Sequence, residues 1–145
     1  MRGLEGAAAQ IYWRVFDRMI RANRTDFFFR ERSRRPPLDN MNALLSFGYS
    51  LLANDVRSAL ESVGLDPAMG FLHTLRPGRP ALALDVMEEL RAWHSDRLVL
   101  GLVNLRRLQG KDFEQSATGV MMNDGARRLF LDAWQKRKRE EIEHP

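Results

Sequence analysis

The sequence predicts a mostly helical fold, a bundle of about four main helices carrying one small β-hairpin. Three observations lead there. Apolar residues recur at three- and four-residue steps through residues 4–22, 39–63 and 81–108. Pro36-Pro37, Gly64 and Pro80 punctuate the edges of these stretches, where helices start and stop. One pair of short segments, 111–115 and 119–122, has the look of two strands around a turn.

Taken in order, residues 4–22 form an amphipathic helix through Leu4, Ala8, Ile11, Val15 and Met19. Its opening Gly6-Ala7-Ala8-Ala9 is small enough to let another backbone or side chain come close. Phe27-Phe28-Phe29 and the arginines after it form a break, closed by Pro36-Pro37. A long helix then runs over 39–63, its seam marked by Met41, Leu44, Leu45, Gly48, Leu52, Val56, Ala59, Leu60 and Val63. Gly64 sits where a helix C-terminus wants it. Residues 65–80 read as a structured loop anchored by Phe71-Leu72-His73. A second long helix over 81–108 is apolar on nearly every side through 84–90 and 98–105, which predicts burial. After the hairpin, Asn123-Asp124-Gly125 caps a last helix over 125–142. No internal repeat or low-complexity segment is present.

Composition narrows the function classes. The 145 residues are one domain's worth, residues 1–145 reading as a single helical unit. The chain has no cysteine, which excludes disulfides, thiolate catalysis and sulfur-based zinc sites. No apolar run is long enough to span a bilayer and no signal-peptide pattern opens the chain, so a soluble, cytoplasmic protein is expected. The net charge of +4 is unevenly placed. Lys136, Arg137, Lys138 and Arg139 precede Glu140, Glu141 and Glu143 at spacings that permit intrahelical pairs, so they read as a solvated face. Arg30, Arg32, Arg34 and Arg35 have only Glu31 among them, and suit either a plain surface or a DNA backbone.

Asp85 and Glu88 lie three apart in an apolar helix start and project from one face, while Glu89 points about 100° away. His73 lies in the preceding loop, and Glu5 at the start of the first helix. Each has a plainer explanation. The helix macrodipole favours carboxylates in first turns, which accounts for Glu5 and Asp85 without function. A lone histidine is more often a core or surface residue than a ligand. Spacing alone leaves a site of Glu5, His73 and Glu88 open.

A longer pattern adds to this reading. Gly70-Phe71-Leu72-His73, then Arg76-Pro77-Gly78-Arg79-Pro80, then Leu82-Ala83-Leu84-Asp85-Val86-Met87-Glu88-Glu89-Leu90-Arg91 resembles a signature of the CRISPR-associated spacer-acquisition integrases. Arg2-Gly3-Leu4-Glu5-Gly6 is similar to that family's first metal-ligand segment, and residues 37–49 to the start of its central helix. Ala133-Trp134-Gln135 and the basic run after it resemble the form accompanying compact type I systems. The likeness covers essentially the whole chain, in order.

The resemblance implies that Glu5, His73 and Glu88 are metal ligands for Mn²⁺ or Mg²⁺, with Asp85 their acidic neighbour in a catalytic set. Two carboxylates and an imidazole suit such ions while leaving positions for water and phosphate oxygen. It implies metal-dependent DNA strand transfer or cleavage, with double-stranded DNA (spacer precursor and CRISPR repeat) as substrate. Arg76 and Arg79 flank the proposed site and, with Arg32, Arg34 and Arg35, are candidate DNA contacts; a purely surface role fits Arg76 and Arg79 equally. The family's small adaptation partner protein and a homodimer are expected of the full-length form. Relative to the family, an N-terminal β-rich domain and a C-terminal extension are expected to lie outside this chain, leaving Glu5 in a terminal turn and the metal site weakened. Two other readings compete: a non-catalytic basic helical module binding DNA or protein, and an inactive, self-associating fragment.

Overall fold

Four main helices, the third made of two α-helical segments joined by a π-turn, and an antiparallel hairpin follow one another along residues 2–70 and 80–140, which this computed structural model describes, with side chains from Gly6 onward. The mostly helical fold and the hairpin are as the sequence predicts. The chain divides into two compact units: residues 1–44 with 98–145, and residues 45–97.

In the first unit, α1 spans Arg2–Phe16 and tightens into a 3-10 turn at Asp17–Met19. The expected extension to residue 22 does not form. Its backbone groups take distant partners instead: the Asn104 side chain donates to the Met19 carbonyl (2.9 Å) and accepts from the Arg21 and Ala22 amides (2.7 and 3.3 Å). Aromatic packing holds α1. Trp13 stacks on Phe29 at 4.9 Å between centroids, and Phe16 meets Phe29 edge-on at 5.0 Å. Phe16, Ile20, Phe27 and Phe29 are all buried.

The hairpin pairs β1 (Phe113–Ser116) with β2 (Gly119–Met122), register Phe113 to Met122 and Ser116 to Gly119. Gly119 is required twice over. Its φ is +108°, and a Cβ there would lie 2.6 Å from Pro36 Cβ. The Pro36-Pro37 segment, entered through a cis Arg35–Pro36 bond, thus lies against the hairpin, and the Val120 amide donates to the Pro37 carbonyl at 2.9 Å. The last helix, α5, spans Asp124–Lys138. Asn123 caps it as expected, accepting from the Ala126 amide at 2.9 Å. It stops short of the expected residue 142: the Arg139 and Glu140 amides bond only three residues back, and residues 141–145 lie outside those described. Its Phe130 and Trp134 are buried.

Asp39 starts α2 (Asn40–Ser62) by accepting from the Asn42 amide at 2.7 Å. The helix ends at Gly64, φ +79°, with the Leu65 amide on the Leu60 carbonyl and the Gly64 amide on the Glu61 carbonyl. This double bond pattern is the Schellman closure that Gly64 forecasts. In the second unit the residues after α2 fold onto the start of α3 (Ala81–Leu90): the Leu82 amide donates to the Pro67 carbonyl at 2.8 Å.

The expected single helix over 81–108 is interrupted. α3 gives way to a π-helical turn at Arg91–Asp96, and α4 (Arg97–Asn104) follows without a break. α4 then ends four residues early. The Arg107 amide reaches the Leu102 carbonyl and the Arg106 amide the Val103 carbonyl, a second Schellman closure, with Arg106 at φ +56° in the place glycine usually takes.

Candidate functional site

α3 starts on Pro80, and its first turns bury Ala81, Ala83 and Met87. That choice of face leaves Asp85 and Glu88 half-buried, one turn apart, while Glu89 is exposed. The spacing argument therefore places the two carboxylates as the structure has them.

Glu88 is not alone on its turn. Arg91 Nη1 lies between its two carboxylate oxygens, 2.7 Å from Oε2 and 3.0 Å from Oε1. The Arg91 guanidinium lies over the Tyr49 ring, 5.4 Å from its centroid. The Tyr49 hydroxyl donates to Asp96 Oδ1 at 2.6 Å. Asp96, Ser95 and His94 are 1%, 0% and 8% exposed, an unusual run of polar burial. Ser95 Oγ finds no partner among the described residues.

The π-turn explains how one ring meets both Arg91 and Asp96. In an α-helix residues five apart point about 140° away from each other. In a π-turn the bonds close five residues back, as the Arg97 amide does on the Ala92 carbonyl, and residues five apart turn much closer to a common face. The extra residue in the turn brings Arg91 and Asp96 to the same side, and Tyr49 meets both. Sequence reasoning missed Arg91, Tyr49 and Asp96. The signal was the polar run Arg91-Ala92-Trp93-His94-Ser95-Asp96-Arg97 between two apolar halves of one helix.

The remaining candidates fall as follows. Glu5 lies on α1, and its side chain is outside the described set. His73, Arg76 and Arg79 lie outside the described residues, which pass from 70 to 80. Arg34 and Arg35 are exposed. Arg32 is half-buried and tied inward, donating to Asn42 Oδ1 at 2.7 Å and to the Ser33 carbonyl. Asn42, fully buried, in turn donates to the Glu31 carbonyl at 2.9 Å and to Asp39 Oδ2 at 2.7 Å. Among the described residues no three His, Cys, Asp or Glu side chains gather as a metal cluster. The donor chemistry of Glu88 nevertheless fits a cation: its two oxygens already hold one, Nη1 of Arg91, in the chelating position.

The described residues define the class only as far as a mostly helical domain with a half-buried carboxylate pair on one helix face. Comparison makes the class specific. The family model described as CRISPR associated protein Cas1 matches residues 1–136. The CRISPR-associated endonuclease Cas1 1 of Chlorobaculum tepidum is 58% identical over 146 residues, covering all of this chain and 43% of the relative. Among solved structures, a casposase bound to integration product superposes with a TM-score of 0.84 at 29% identity, covering 98% of this chain and 40% of that one. A partial Cas6-RT-Cas1–Cas2 complex gives a TM-score of 0.84 at 29% identity, over 94% of this chain and 41% of that one. The chain belongs to the Cas1 family. It spans less than half the length of the Chlorobaculum relative.

Proposed function

We propose that this chain acts in CRISPR spacer acquisition as a helical catalytic-type domain for metal-dependent strand transfer or cleavage of double-stranded DNA. The observation that carries the reading is the Glu88 carboxylate, half-buried beside Asp85 on the face of α3 and already holding a cation between its oxygens. In this reading Glu5, His73 and Glu88 supply two carboxylates and an imidazole to Mn²⁺ or Mg²⁺, and Asp85 adds negative charge one turn away. The ion, when bound, supplies Lewis-acid polarisation of a phosphodiester. Arg76 and Arg79 bind the phosphate backbone, and exposed Arg34 and Arg35 are further DNA contacts. Arg32 contributes through Asn42, shaping the turn that carries its neighbours. The attacking group is the 3′-hydroxyl of a captured fragment in integration, or water in cleavage.

The partners follow from the same reading: spacer-precursor and repeat DNA, a Cas2-type adaptation protein, and a second copy in the longer form. No described helix is long and apolar enough to cross a membrane, and the reading places the protein in the cytoplasm. The test is a strand-transfer assay with labelled double-stranded fragments and Mn²⁺. Loss of product with Glu88→Gln and with His73→Ala, at unchanged DNA affinity, supports it. A second reading, a non-catalytic DNA-binding module, draws on the exposed cations Arg127, Arg128, Lys136 and Lys138 of α5. It predicts salt-sensitive DNA binding with no product from any variant.

A further inference from the structure

We infer that Arg91 is the residue that sets the cation affinity of the Glu88 site, a built-in counter-cation that a divalent ion must displace or repel; the inference rests on the metal-site reading above. Three observations converge on it. A single nitrogen, Nη1, straddles both oxygens of Glu88, at 2.7 and 3.0 Å. That is where a cation chelated by this carboxylate would sit. The guanidinium is not a loose surface group, for its side chain is only 17% exposed and rests on the Tyr49 ring. The ring is held in turn by Asp96, and Arg91 and Asp96, which both meet it, are the first and last residues of the π-turn.

Two effects of Arg91 oppose each other. It orders the Glu88 side chain in advance, which favours binding by the cost of one frozen rotamer, a factor of about three to ten. It also places a positive charge against the incoming ion. At an effective dielectric near 20, a single and a double charge about 5 Å apart repel by far more than a hundredfold in affinity. The carboxylate is 31% exposed, and solvent screening cuts that factor steeply, leaving roughly thirtyfold or more. Repulsion wins. Neutralising Arg91 therefore tightens the site, an outcome that damage to the fold cannot imitate.

The experiment is calorimetric titration of Mn²⁺ into the 145-residue chain and four variants. Arg91→Gln and Arg91→Met remove the charge, the second keeping an apolar stem against Tyr49. Arg91→Lys keeps the charge, and Arg91→Met/Glu88→Gln removes both partners. Thermal midpoints are recorded for all. The expected result is Mn²⁺ binding tightened about tenfold in the neutral variants, little changed in Arg91→Lys, and lost again in the double variant. Equal or weaker binding by folded neutral variants overturns the inference and leaves the metal-site reading intact. Binding by none of the chains overturns both. Binding by the neutral variants alone supports both. If neither neutral variant folds while Arg91→Lys does, Arg91 is a structural residue and the inference fails.

Discussion

Asp17 in the first unit and Glu88 in the second are both carboxylates held by an arginine, and their other partners set them apart. Asp17 accepts from the Phe29 amide at 2.8 Å and from Arg24, whose guanidinium is itself tied to the Asp17 and Ile20 carbonyls. The backbone bond from Phe29, more than Arg24, holds the Asp17 carboxyl below its usual range. Among the described residues Glu88 takes its hydrogen bonds from the Arg91 side chain, not from backbone. A carboxylate bonded to main chain is committed to the fold. One held by a single side chain retains lone pairs for another cation. The comparison separates a clasp from a candidate ligand.

Substitutions test that separation. The largest effect is expected from Phe16→Ala, which empties a fully buried position in the aromatic packing around Phe29. It should cost about 3–5 kcal/mol in denaturant unfolding. Asp17→Asn should cost about 1–2 kcal/mol at pH 7. Its folded carboxyl is held below its ordinary value of 3.8, so the stability it contributes is present above that value and lost as pH falls through the lower folded one. The gap between Asp17→Asn and the unaltered chain should therefore close under acid. A gap that stays constant with pH would remove the ionised clasp. Arg106→Gly should gain about 0.5–1 kcal/mol by relieving a side chain at φ +56°. Smallest of all, Glu88→Gln should shift stability by about 0.5 kcal/mol or less, because its partly exposed pair with Arg91 adds little to folding. A loss as large as that of Asp17→Asn would make Glu88 another clasp.

Where local chemistry decides a feature, the sequence displays it. Asp39 and Gly64 bound α2, and Asn123 starts α5, each through a bond to a residue within five positions. The Asp85–Glu88 face was legible for the same reason, since one helical turn relates the pair. Features decided at a distance were not. α1 ends where it does because Asn104, more than 80 residues on, takes its carbonyl and the following amides. The π-turn brings Arg91 and Asp96 to Tyr49, which lies 47 residues before Asp96. α4 ends on an arginine in a glycine conformation, which no residue type announces. Arg32 read as a surface cation because its acceptor, the buried Asn42, lies within a helix seam that otherwise reads as apolar.

The central claim is that Glu88 and His73 belong to one metal site. Its most direct test is Mn²⁺ titration of the unaltered chain beside Glu88→Gln and His73→Ala, each checked for an unchanged thermal midpoint. The account predicts a saturable site that weakens about tenfold or more in both variants. Equal Mn²⁺ affinity in all three would contradict it and leave the carboxylate pair on α3 without a metal role.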